Sequence, residues 1–481
     1  MLYLIDASAR NSLGHNLEYL ERISLEVKSH FLILGNRELK SNGDSNYRPT
    51  FEFATWDFGR FGHRRKRIKP RAAQSSKTLR SSRALLITEK FIEISAKALA
   101  RIAGRFVLFA VGHTKQSRCF HRDLTRGLFG IKPYSTILVS TTNARELVGL
   151  NKWTQNLQIQ GYSISVILRR PLLDLRSLIE VPLIFIDALI YISAIQELAN
   201  RVRFLADTPG LAARLSKRTA EKIEHIPTLG FEIQIDRPKG PIEFALAPNS
   251  RPETRYSVHD LTSIPKLSAL TTVNLDSKGY RELLSTTKSI VLPYDPLRYR
   301  SRSSGIFAEA LTLGILPIVP TGTSMSQEIA KLNSKILPPP ELVMELKVGG
   351  VIDFRLFEQE YLLITLEGNF CGSIVLEISE SNGGIKRSTH DFFESESIDS
   401  FLIRPTKQTL MTFKMDRILF PRDHSLNIKV NRIGSSLFGA PYLEGDLLEV
   451  LSLIDTISFH SEAEFEIREH SPRSICSVLK I

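Results

Sequence analysis

The sequence predicts an α/β protein with three parts: a mainly parallel, doubly wound domain, a shorter α/β domain, and an all-β sandwich. Three observations predict it. Short apolar runs alternate with segments of helical spacing over the first 230 residues. A shorter stretch of the same texture runs to about 340. Period-two alternation broken by Asn, Gly and Ser takes over between about 345 and 460. Strands alternating with amphipathic helices build βαβ units, whereas a period of two marks half-buried strands. The expected boundaries are 1–230, 231–340 and 345–481.

Taken in order, strands are expected at "LYLID" (2–6), "HFLILG" (30–35), "FEFATW" (51–56), "RFVLFAVG" (105–112), "TILVST" (136–141), "ISVILR" (164–169) and "VRFLAD" (202–207). The segments "NLEYLERISLEV" and "TEKFIEISAKALARIAG" space their apolar residues near 3.6 and read as helices. "VPLIFIDALIYISAI" (181–195) is shorter than the roughly 20 residues of a membrane span. It also carries Asp187, so a buried helix is expected. In "ADTPG" (206–210), Asp207 or Thr208 caps a helix that has Pro209 in its first turn. The second region shows one clear unit: strand "SIVLPY" (289–294), an arginine-rich loop, helix 304–313, Gly314 as a stop, and strand "ILPIVP". No opening strand is evident in 231–270, and "PPP" (338–340) closes the region. "LLITLEGNFCGSIVLEISESNGGIKRS", "SFLIRPTKQTLMTFKMDR" and "HSLNIKVNRIGSSLFG" then supply sandwich strands whose aromatics, mostly Phe, suit a core.

The chain has 481 residues, 42% hydrophobic and 24% charged, which is ordinary for a globular protein of several domains. The first 16 residues lack a basic stretch before their short apolar run and read as a first strand, not a leader. Cys119, Cys371 and Cys476 are far apart and odd in number, against a disulfide framework and in keeping with a reducing cytoplasm. His113 and His121 bracket Cys119, but the spacing fits no zinc pattern, and a loop or helix start is expected there. A net charge of +12 favours polyanionic partners.

Residues 60–83, "RFGHRRKRIKPRAAQSSKTLRSSR", hold ten lysines and arginines and no acid. Such a run reads as a solvated loop or as a patch for an anionic membrane surface. Nucleic-acid binding fits less well, because interleaved stacking aromatics are missing.

The densest chemistry lies in "YRSRSSGIFAEALTLGILPIVP" (299–320). A helix N-terminus presents unpaired N–H groups and about half a positive charge, a ready anion site. Ser303 or Ser304 caps the helix, Gly305 admits close approach to the backbone, and Arg298, Arg300 and Arg302 add planar donors suited to phosphate. Glu309 lies about a turn further in, where it either accepts hydrogen bonds from ligand hydroxyls or sits on the helix's exposed face. The spacing fits both a nucleoside diphosphate site and a plain solvated loop.

"LLSTTKSIVLPYDPLRYRSRSSGIFAEALTLGILPIVPTGTSMSQEI" resembles the donor-site segment of retaining nucleotide-sugar glycosyltransferases of GT-B architecture (glycosyl transferases group 1-like). Pro293, Tyr294, Tyr299, Arg302, Ser303, Ser304, Gly305, Glu309, Ala310, Gly314 and Pro317 match that pattern in order. "IDASARNSLGHNLEYL" is similar to the family's first strand and glycine loop, and "VRFLADTPGLAARL" with "HIPTLGF" to the end of its N-terminal domain. The resemblance covers roughly 1–335. It implies two Rossmann-like domains facing a cleft, and a sugar moved with retention from a nucleotide-sugar to a glycan or lipid-linked acceptor, in surface polysaccharide assembly. It further implies Gly14 and His15 at the reacting centre, Arg302 with the Ser303–Gly305 backbone on the diphosphate, and Glu309 on the ribose hydroxyls. Neither metal nor further cofactor is implied, and the expected location is cytoplasmic, peripheral at the inner membrane face. Many relatives carry a glutamate eight positions before the one matching Glu309; Ser301 stands there. The other expectation is therefore a non-catalytic glycan- or nucleotide-binding protein on the same scaffold.

Overall fold

In a computed structural model, the chain divides into two compact units: Met1–Pro227 with Pro472–Ile481, and Thr228–Ser471. The structure describes residues 1–9, 15–27, 30–39, 46–54, 82–140, 142–156, 161–169, 181–230, 242–246, 277–347, 349–356, 361–368, 372–379, 385–392, 397–404, 409–415, 425–433, 436–443, 447, 450–451, 458–459 and 470–480. Gly14, Cys371 and most of the basic run lie outside these residues.

The first unit is α/β and built on one parallel sheet. Its elements are β1 (Leu2–Ile5), α1 (His15–Glu26), β2 (Phe31–Asn36), β3 (Tyr47–Phe51), α2 (Ser82–Gly112), α3 (Lys115–Gly127), β4 (Thr136–Val139), α4 (Ala144–Asn156), β5 (Ser163–Leu168), α5 (Val181–Leu198), β6 (Arg203–Ala206), α6 (Pro209–Thr219) and β7 (Ile223–His225). The sheet order β3-β2-β1-β4-β5-β6-β7, with every pair parallel, is doubly wound about a switch point between β1 and β4. Such a sheet is covered on both faces, and its strands are accordingly apolar at consecutive positions. Leu2, Tyr3, Leu4 and Ile5 are all buried.

Local chemistry sets the helix starts. Thr208, not Asp207, caps α6 by accepting from the Leu211 N–H at 3.1 Å, with Pro209 in the first turn. Thr114 caps α3, so the His113–His121 segment is a helix start. Two strand expectations shift, and one strand is added. Residues 105–112 are the end of α2: Leu108 packs into the core while Phe106 and Phe109 face outward, a helical division of an unbroken apolar run. β3 begins four residues earlier than expected, at Tyr47. β7 was not expected; Ile226 N–H continues its ladder by donating to the Ala206 carbonyl at 2.9 Å.

α5 is, among the described residues, the helix long and apolar enough to cross a membrane. Ile184, Ala188–Ile195 and Leu198 are buried in the unit's core instead. α2 packs on it closely because Gly104 has no side chain; a Cβ there would lie 3.1 Å from Ser193 Oγ.

The second unit holds β8 (Ile242–Leu246), α7 (Ser277–Thr286), β9 (Thr287–Val291), α8 (Pro296–Tyr299), α9 (Gly305–Thr312), β10 (Leu316–Pro320) and α10 (Ser324–Ile336). β8 is the opening strand missing from the expectation: "IEFAL" pairs parallel with β9 despite its internal glutamate. Then come β11 (Leu342–Lys347), β12 (Val351–Leu356), β13 (Leu362–Gly368), β14 (Gly372–Ser379), β15 (Ile385–Phe392), β16 (Ser397–Ile403), β17 (Thr409–Met415), β18 (Ser425–Arg432), β19 (Ser436–Leu437), β20 (Ala440–Tyr442) and β21 (Ser458–Phe459). α11 (Pro472–Leu479) returns to the first unit, where it packs on α1 and Arg203 donates to the Val478 carbonyl at 2.7 Å.

Strands from both sides of the expected 340/345 boundary share one mixed sheet, ordered β11-β18-β13-β16-β20-β10-β9-β8. β8, β9, β10, β20 and β16 run parallel and the rest antiparallel. A four-stranded antiparallel sheet, β12-β17-β14-β15, makes the sandwich. Period two explains why no domain boundary falls here. On β13, Leu362, Ile364 and Leu366 join the sandwich core, while Leu363 joins the α/β core; on β16, Phe401 and Leu402 divide in the same way. One sheet thus serves two cores, one on each face.

Candidate functional site

The expected donor segment lies where open α/β sheets bind ligands, beyond the carboxyl ends of parallel strands. β9 ends at Val291 and leads through the short α8 and the arginine loop to the N-terminus of α9, and β10 ends at Pro320 and leads through a loop to the N-terminus of α10. Ser304 is the cap of α9: its backbone is extended (φ −129°, ψ 120°) and its Oγ accepts from the Phe307 N–H at 3.3 Å. The same hydroxyl donates to Tyr294 Oη at 3.3 Å, and the Tyr294 ring stacks on Tyr299 with centroids 4.0 Å apart. The two motif tyrosines, both buried, therefore fasten the arginine loop to the cap.

Gly305 opens the helix, and a Cβ built on it meets nothing within 4 Å. Space in front of the first turn is thus open. Arg302 and Ser303 beside it are half-buried, while Arg300 and Ser301 are buried. Glu309, one turn inward, is only 3% exposed, so the exposed-face reading of that residue does not hold. Gly314, at φ +70°, ends α9 in a Schellman motif, with Ile315 N–H on the Ala310 carbonyl and Gly314 N–H on the Leu311 carbonyl.

A second N-terminus lies beside the first. Ser324 Oγ donates to the Arg302 carbonyl, tying the β10 loop to the arginine loop. Thr323 and Ser326 form a reciprocal capping box on α10 at 3.1 Å each. Beneath them Asp399, a buried carboxylate of β16, accepts from Gly322 N–H and its neighbour Ser400 N–H, both at 2.9 Å. Sequence reasoning missed Asp399 because nothing in "SIDSFLI" distinguishes a loop anchor from a polar strand position.

In the first unit, the analogous place is the β1/β4 switch point. Asp6, fully buried, accepts from Ser8 N–H at 2.7 Å and from Ser140 Oγ–H at 2.6 Å, joining the loops after β1 and β4. Asn143 caps α4 by accepting from Glu146 N–H, and Glu146 Oε2 accepts from Asn143 N–H, both at 3.1 Å. His15 is the first residue of α1. Arg302, Ser303, Ser304, Gly305 and Glu309 are brought together at one helix start in the second unit, whereas Gly14 and His15 belong to the first. Among the described residues, no three His, Cys, Asp or Glu side chains gather as metal ligands would.

No family model matches the sequence, and no curated protein matches it. Solved structures give weak likenesses. The pre-peptidase C-terminal domain of collagenase from Bacillus anthracis is 7% identical at a TM-score of 0.15, covering 20% of this chain and 91% of that one. AlgX of Pseudomonas aeruginosa is 10% identical at 0.15, covering 20% of this chain and 26% of that one. The capsular polysaccharide assembling protein CapF from Staphylococcus aureus is 11% identical at 0.14, covering 67% and 88%. Similarities of this size define neither fold nor function. What the geometry defines is a class: an α/β protein with a capped, open helix N-terminus and arginines at the carboxyl edge of a parallel sheet.

Proposed function

We propose that the protein is a nucleotide-sugar glycosyltransferase acting with retention on a glycan or lipid-linked acceptor, in the assembly of a surface polysaccharide. The carrying observation is the start of α9, where Ser304 caps the helix, Gly305 is unobstructed, and the half-buried Arg302 stands two residues before the cap. On this reading the two units are the two Rossmann-like domains of GT-B architecture. The diphosphate sits against the Ser303–Gly305 backbone and Arg302, and Glu309 takes the ribose hydroxyls. His15, which the resemblance gives to the reacting centre, is the first residue of α1 in the first unit.

The chemistry follows from charge. As the acceptor oxygen bonds to the anomeric carbon, the bond from that carbon to the diphosphate oxygen breaks and negative charge grows on the leaving group. Fixed N–H dipoles and a guanidinium stabilise that charge where it develops. The acceptor proton passes to the departing phosphate oxygen on the same face, so configuration is kept without a protein nucleophile.

The test is a panel of nucleotide-sugars scored by calorimetric binding and by release of free nucleotide, for the wild type and for Gly305→Val and Arg302→Ala. At least one donor binds, and both variants lose it while their melting temperatures stay near wild type. If no donor binds, the proposal fails. A specific observation favours a second reading: Ser301, buried at the place where relatives have a glutamate, leaves the arginine loop without a carboxylate there. Tight donor binding with no turnover on any acceptor supports that non-catalytic role.

A further inference from the structure

α2 carries its apolar residues on two faces. The inner row, Ile92, Ala96, Ala100 and Leu108, is buried in the core. The outer row is Phe91, Ile94, Ile102, Phe106 and Phe109, which are 71%, 70%, 85%, 74% and 66% exposed. At 3.6 residues per turn these five, with exposed Ala98, fall within about 120° of arc and run about 27 Å along the helix. A contiguous apolar strip of this length on a folded domain marks an interaction surface.

Charge identifies the occupant. Lys97, Arg101 and Arg105 line one edge of the strip at i, i+4 and i+8. Arg101 is exposed, and the Arg105 side chain is 93% exposed even though its Nε meets Glu197 of α5 at 2.9 Å. Lys97 Nζ donates to the Lys217 carbonyl on α6 at 2.7 Å. In sequence, the helix is preceded by the ten-cation run of 60–83. A second copy docking face to face with its helix antiparallel would set like-charged edges against one another. An apolar face with a basic border fits instead a surface that is apolar within and anionic at its rim, which describes the interface of an acidic bilayer.

We propose that the outer face of α2 lies in the headgroup region of an anionic lipid bilayer, with Phe91, Ile94, Ile102, Phe106 and Phe109 inserted and Lys97, Arg101 and Arg105 on lipid phosphates. This goes beyond the donor site, which is built in the other unit.

The experiment is co-sedimentation of the full chain with vesicles of phosphatidylglycerol mixed with phosphatidylcholine, and of phosphatidylcholine alone. Wild type partitions to the acidic vesicles and is released by high salt. Ile102→Asp/Phe106→Asp lowers partitioning by roughly tenfold or more with an unchanged circular dichroism spectrum, because both side chains leave no core contact behind. Ile94→Gln/Phe109→Gln is a milder second pair and weakens binding in the same direction. Three results overturn the proposal. Wild type fails to bind acidic vesicles; the aspartate pair binds as wild type does, which assigns binding to the basic run alone; or lipid-free protein is a dimer that the aspartate pair dissociates, which makes the strip a protein interface.

Discussion

Replacing Asp6 by alanine tests how the first unit holds its switch point together. The carboxylate is fully buried and accepts from Ser8 N–H at 2.7 Å and from the Ser140 hydroxyl at 2.6 Å. Both donors belong to buried residues, so neither is compensated by water once the carboxylate is gone. An orphaned buried donor costs about 1–3 kcal/mol, so the pair costs about 2–6 kcal/mol, and packing loss from the removed side chain adds little. Asp6→Asn keeps one acceptor and the shape, and falls between wild type and Asp6→Ala. The assay is urea unfolding followed by a probe in the first unit, repeated in a cycle with Ser140→Ala. Removing both partners leaves fewer unmet groups than removing one, so Ser140→Ala costs less in the Asp6→Ala background than in wild type. Additive effects, or a loss under about 0.5 kcal/mol for Asp6→Ala, would refute the argument that this carboxylate joins the two loops.

Other outcomes follow from single contacts. Ser304→Ala removes the α9 cap and costs about 1 kcal/mol by urea titration of the second unit. Ser304→Asp restores the cap but weakens binding of any anion there. Gly104→Leu forces a side chain into the space beside Ser193 and costs about 1–3 kcal/mol, measured as a lower melting temperature, whereas Gly104→Ala costs far less. Burial, with a smaller contribution from Glu26, pushes the Cys476 thiol from 9.0 up to about 11. Between those values the unfolded chain ionises and the folded chain does not, so unfolding releases a proton and stability falls as pH rises. The wild type loses stability over that window more steeply than Cys476→Ala, by up to about 1.4 kcal/mol per pH unit, in urea midpoints.

Caps, turns and apolar periods made much of the scaffold legible. Thr208 with Pro209, the serine pair before Gly305, and Gly314 locate helix ends to within a residue, because each answers a local demand for a donor, an acceptor or a positive φ. Where packing decides, the sequence was less informative. "RFVLFAVG" looks like a strand because both faces of that stretch are apolar, and only the outward exposure of Phe106 and Phe109 shows why a helix can carry it. Glu243 hides β8, and the sandwich reads as a separate domain because alternation reports which face a residue takes, not what covers that face. At the candidate site the residue types were legible; the depth of Glu309, the tyrosine stack and the Asp399 anchor depend on partners distant in sequence.

The return of α11 to the first unit has a consequence for biosynthesis. A ribosome delivers β1–β7 and α1–α6, then the whole of Thr228–Ser471, and only afterwards the segment that packs on α1. Ile475, Cys476 and Leu479 are buried in the finished protein, and Cys476 Sγ reaches the Ile23 carbonyl. The nascent first unit therefore waits with the α1 surface uncovered throughout the synthesis of the second, a period in which that apolar ledge is open to wrong contacts. Translation pauses within the second unit lengthen that exposure.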